Sequence, residues 1–164
     1  DFAGYGYANG VPMGGDLSKA PKGKAPSLVI RALRDPNGAN LDRVQVIKGW
    51  IENGEAKEKV YDVALSDDRE VGKNGKVPAV GNTVDLNGPS FTNTIGDALM
   101  FAHWKDPDFD PSQPAFYYVR VIEIPTPTWA AYDAAFFKVK MPEEVPMIHQ
   151  ERAYTSPIWY TPGG

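Results

Sequence analysis

Hydrophobic positions along the chain alternate with polar ones far more often than they recur at helical spacing. Residues 27–33 (SLVIRAL) read as a strand that stops at Asp35-Pro36-Asn37-Gly38, a strong turn sequence. Residues 41–51 and 56–65 flank Glu52-Asn53-Gly54-Glu55. Asn-Gly between two strand-like runs marks a hairpin, because both residues tolerate the positive φ of a type I′ turn. With Asn53-Gly54 as the loop, Val46 is expected opposite Tyr61 and Val44 opposite Val63, all on one face. That face ends in Trp50, near Lys48, Lys57 and Lys59. The other face pairs Ile47 with Val60 and Gln45 with Asp62.

Residues 66–82 form a long polar loop. Short strands are expected at 83–86 and 91–95, around Asn87-Gly88-Pro89. Residues 98–105 (ALMFAHWK) are apolar on both faces, the pattern of a covered strand. Residues 115–124 (AFYYVRVIEI) give the strongest strand pattern and suit a central position in a sheet. Pro125-Thr126-Pro127 ends that strand. Thr128 is placed to cap a short helix over 129–137, with Trp129, Tyr132 and Phe136 at helical spacing. A last strand over 152–161 contains Pro157, which confines it to an edge or a bulge. The pattern predicts a mainly β chain, an antiparallel β-sandwich (Ig-like or related) with seven or eight strands and one short helix. Residues 1–26, rich in Gly, Pro and Lys, read as an extended arm or linker, and residues 27–164 as the sandwich domain.

Composition supports this picture. Among 164 residues, 16 Gly and 15 Pro argue against a helix bundle, since both disrupt helix interiors. Four Trp, eight Tyr and seven Phe supply large side chains to bury, so the Gly and Pro content does not mean disorder. The net charge of -4, with no Lys/Arg block, removes the basis for a general grip on nucleic acid or acidic lipid. No apolar run approaches the roughly 18 residues of a membrane span. The absence of Cys excludes disulfides and thiol catalysis and leaves the compartment open. The chain begins Asp1-Phe2-Ala3, without Met or a signal-peptide pattern, and is expected to be a processed chain or part of something longer.

Candidate chemistry is sparse. Asp106, Asp108 and Asp110 alternate as calcium ligands do. An EF-hand would need Gly and Glu where Pro111 and Tyr117 stand, so only a looser calcium site is open to them. The plainer reading is Asx turns between Pro107 and Pro111. His103 shares a strand face with Leu99 and Phe101 and is expected partly buried; His149 is expected exposed. Two distant His cannot build a three-His zinc centre. There is no G-x-S-x-G elbow, Gly4-Tyr5-Gly6 lacks a preceding strand, and Gly23-Lys24 precedes Ala25, which fails the phosphate-loop pattern. Trp50, Trp104, Trp129 and Trp159 have the chemistry to stack on sugar rings or, more commonly, to plug a core or an interface.

Several stretches together carry a signature. They are GVPMGGDL at 10–17, DPNGANLDRVQVIKG at 35–49, EKVYDVA at 58–64, VGNTVD at 80–85 and TNTIG at 92–96. DPDFDP at 106–111 with Phe116-Tyr117-Tyr118, EIPTPT at 123–128 with Trp129, and QERAYTSPIWYTP at 150–162 complete it. This ordered series resembles the carboxyl-terminal part of the family known as domain of unknown function 3604. The resemblance implies a longer parent whose amino-terminal region is similar to metal-dependent hydrolases of the polymerase and histidinol phosphatase (PHP) type. The His-rich metal motifs of that region have no counterpart here, and Asp16 alone is a suspect for the parent's catalytic region. No catalytic or cofactor-binding residue is carried over, and no cofactor beyond the calcium candidate is expected. A good β core beside an absent catalytic set suits a non-catalytic accessory β-domain, with the remainder of the parent polypeptide or identical chains as partners. The alternatives are a fragment of a metal-dependent phosphoesterase and a self-assembly module using strand edges and the arm.

Overall fold

The computed structural model describes residues 2–18, 20–21 and 24–163; Gly23 of the phosphate-loop comparison and the Asp1 start lie outside the described residues. The elements follow the order α1 (Phe2–Asn9), β1 (Asp16–Leu17), β2 (Ser27–Leu33), β3 (Leu41–Glu52), β4 (Glu55–Leu65) and β5 (Leu99–Lys105). They continue with β6 (Ala115–Glu123), β7 (Thr126–Pro127), α2 (Trp129–Phe137), β8 (Ile148–His149), β9 (Arg152–Tyr154) and β10 (Ile158–Tyr160). The main sheet has six strands in the order β1-β10-β6-β3-β4, with β9 also pairing β6. β2 and β5 form a two-stranded antiparallel ribbon, and β7 pairs β8. The chain is mainly β, with the ribbon packed on the main sheet as a β-sandwich.

The core lies between these two layers. Leu28, Ile30 and Ala32 of β2 alternate with exposed neighbours, as do Met100 and Ala102 of β5. They pack against Val44 and Val46 of β3 and Ala115, Tyr117 and Val119 of β6. This is the alternation that a sheet with one buried face requires. The outer face of the ribbon is open, with Leu99 and Phe101 exposed, so β5 is covered on one side and not on both. His103 shares that open face and is exposed rather than partly buried.

The hairpin forms as its turn dictates. Asn53 and Gly54 have φ of 53° and 81°, and Val46 stands opposite Tyr61 and Ile47 opposite Val60. A bulge between Val44 and Gln45 then places Ala64, not Val63, opposite Val44. The extra residue restores no alternation on β4 and both Val63 and Ala64 touch the core. Gly49 is the second local necessity. A Cβ there would lie 2.2 Å from a Phe116 ring carbon, so the glycine makes room for the ring on the outer face of the main sheet.

Three segments depart from the sequence pattern. The glycine-interrupted start forms α1, closed by the Gly10 N–H to Gly6 carbonyl bond, and Asp16–Leu17 joins the sheet beside β10. Residues 83–86 and 91–95 are not strands; Asp85 bridges Ser90, and the Thr83 hydroxyl donates to the Thr92 carbonyl. The Asn40 side chain organises the neighbouring backbone instead, donating to the carbonyls of Asn93, Ile95 and Gly96. Pro157 divides the last strand into β9 and β10, which occupy successive stretches of the same β6 edge.

Candidate functional site

The acidic run after β5 sits at one end of the core. Asp106 follows the last residue of β5 and turns inward; its side chain and that of Lys48 on β3 are both buried. Lys48 lies on the core face because it is two residues beyond Val46 on the same strand. Its Nζ donates to Asp106 Oδ2 at 2.6 Å and to the Asp108 carbonyl at 2.7 Å. The Tyr117 hydroxyl donates to the same Oδ2 at 2.6 Å, and the Asp108 N–H to Oδ1 at 2.9 Å. Burial first, and then the bond to Asp106, push the Tyr117 hydroxyl up, so it remains a donor.

Asp108 points the other way, to the surface. Its Oδ2 accepts from Lys59 at 2.6 Å and from Tyr61 at 2.7 Å. The Lys59 bond, followed by the Tyr61 bond, holds its carboxyl below the ordinary range. Tyr61 is pushed up by burial and by its bond to Asp108. Asp110 closes its own turn, accepting from the Ser112 N–H and hydroxyl. The three acids considered for calcium therefore face three different sets of donors: Lys48 and Tyr117, Lys59 and Tyr61, and Ser112. Among the described residues, no group of three or more His, Asp or Glu side chains is placed to hold a metal ion. Asp106 and Asp108 are linked through Lys48, a partner that the spacing of the acids alone does not reveal. The signal that could have found it is a lysine on the apolar face of a strand.

The remaining candidates are separated. His149, on β8, is partly exposed and lies 3.1 Å from Glu151. Asp16 pairs with Trp159 at the sheet edge, where β1 joins β10. A cleft of about 410 Å³ opens between the ribbon and the β6–β9 edge, lined in part by Arg31, Arg34, Arg152, Glu123 and Glu151. Burial, then the like charge of Glu151, raise the Glu123 carboxyl above its ordinary value.

The tryptophans divide into two pairs. Trp50 and Trp104 pack against the core, with Trp104 4.9 Å from the Tyr61 ring. Trp129 and Trp159 are exposed, and Trp129 does not stand alone. On α2, Trp129 is 83% exposed, Phe136 78% and Phe137 65%, with Tyr132 beside Trp129; the buried residue of this helix is Ala131. The helical spacing thus builds an aromatic surface facing outward rather than a core contact. The helix is fixed from both ends. Thr128 offers no side-chain cap; its hydroxyl donates instead to the Pro146 carbonyl, and its N–H to the Met147 carbonyl. Lys138, in the left-handed region at φ 54°, ends the helix by donating its N–H to Ala134.

No helix among the described residues is long and apolar enough to cross a membrane. A family model described as Protein of unknown function (DUF3604) matches residues 1–162. No curated protein and no solved structure matches the chain.

Proposed function

We propose, for a chain that belongs to the DUF3604 family of proteins of unknown function, a non-catalytic role as an accessory β-domain docked on the remainder of a larger polypeptide. The observation that carries this reading is the aromatic surface of α2. Burying large rings is among the strongest contributions a side chain makes to a fold or an interface. Contiguous exposed aromatic patches mark contact surfaces far more often than chance placement does. The rings of Phe136 and Phe137 meet edge to face at 4.9 Å, and those of Trp129 and Tyr132 lie 6.2 Å apart. The helix therefore offers a pre-assembled set of rings.

The motif series further supports reading the larger polypeptide as a metal-dependent hydrolase of PHP type, with its reacting groups outside residues 1–164. In that arrangement this domain stabilises the hydrolase region and supplies no ligand to its metal. The full-length polypeptide tests the docking. Trp129→Glu and Phe136→Glu alter exposed side chains, so the isolated chain is expected to keep its melting temperature. The full-length protein carrying either change is expected to melt earlier and to be cleaved faster at α2 by protease. Full-length protein indifferent to both changes would show that α2 is not an interface. A metal-dependent phosphatase activity recovered from residues 1–164 alone would overturn the non-catalytic reading.

A further inference from the structure

The geometry points to a covalent modification that is independent of the docking surface: we infer that Lys48 and Asp106 condense into an intramolecular amide joining Nζ to Cγ. Among the described residues, three lysine–carboxylate pairs have the same 2.6 Å separation. Lys57–Glu55 and Lys59–Asp108 are substantially exposed, and water competes for both members. Lys48 and Asp106 differ, with side chains 3% and 0% exposed. The rings of Trp50 and Tyr117 lie 5.6 and 5.9 Å from the Lys48 nitrogen. The hydrogen bond from Nζ to Oδ2 supplies the path for the first step of a condensation, a proton passing from nitrogen to that oxygen.

The groups around the pair match what the condensation needs. The amine is held by two anchors, Asp106 Oδ2 and the Asp108 carbonyl, which cuts the entropy cost of approach. Asp106 Oδ1 receives the Asp108 N–H, a fixed donor for the negative charge that develops on that oxygen. Oδ2 receives the Tyr117 hydroxyl, a proton donor at the leaving oxygen. The Nζ–Cγ bond forms and the Cγ–Oδ2 bond breaks. Oδ2 departs as water with two protons, both originally on Nζ. The first passes directly, and the second is relayed by Tyr117, which gives its proton to Oδ2 and takes one from nitrogen. No oxidant, reductant or co-reactant enters. The product links β3 covalently to the loop after β5, and so ties the two layers of the sandwich together.

Intact mass measurement of the purified, denatured wild-type chain decides the matter without requiring any variant to fold. The expected mass is one water below that of the sequence. Proteolysis is expected to release a branched fragment joining a Lys48 peptide to an Asp106 peptide. Lys48→Met, analysed the same way, is expected at its full sequence mass. A wild-type chain at full sequence mass, or a water loss that persists in Lys48→Met, would overturn the inference.

Discussion

Single side chains in this protein are governed by what surrounds them more than by what they are. Asp106 and Asp108 stand two residues apart, yet one is sealed against a lysine and a tyrosine and the other is half-exposed beside a different lysine and tyrosine. Glu123 shows the same dependence in its protonation. Its folded-state value is raised, by burial and then by Glu151, so the fold favours its neutral form. A raised carboxyl contributes fully at pH below its ordinary range and loses that contribution as pH rises through the raised value. Glu123→Gln, which keeps an acceptor for the Ala39 N–H, is therefore expected to stabilise the chain at neutral pH. The gain should vanish at a pH below the ordinary glutamate range. Urea midpoints at the two pH values check this, and an equal shift at both would contradict it.

At the scale of elements, β3 and α2 were the most legible, and for different reasons. The Asn53-Gly54 turn sets the hairpin register locally, because only a pair tolerant of positive φ closes a two-residue loop. α2 runs over the residues its spacing predicts, between the prolines before it and Lys138 after it. What neither pattern contains is the bulge at Val44, which shifts Ala64 into the place of Val63. Gly49 carries a further consequence. Gly49→Ala would drive a methyl into the Phe116 ring and is expected to cost about 1–3 kcal/mol, the usual range for overpacking. In a Phe116→Ala background the same substitution should cost much less. A double-mutant cycle by denaturant unfolding measures the coupling, and additive effects would rule out the contact as the cause.

The whole molecule is a sandwich with unequal layers. Six strands lie on one side and a two-stranded ribbon on the other, so each buried ribbon side chain carries a large share of the contact between layers. Ile30→Ala on the inner face of β2 is expected to cost about 2–5 kcal/mol. Val29→Ala, one residue away on the outer face, should stay within about 0.5 kcal/mol. Urea unfolding of the two variants compares them, and similar losses would mean that both ribbon faces are covered.

Sequence by itself determined the features that depend on near neighbours. Strand alternation, turn chemistry at Asp35–Gly38 and Asn53-Gly54, and the span of α2 follow from backbone preference and side-chain period. The ordered motifs likewise place the chain in its family. Tertiary structure alone decided which apolar faces are covered. It turned the rings of α2 outward, left one side of β5 open, and brought Lys48 to Asp106 across 58 residues of chain. It also gave residues 92–96 their shape through Asn40 rather than through strand pairing. The physical reason is the same in each case. Alternation fixes that a strand has two faces, but which face is buried, and which charge meets which, depends on the element that packs against it.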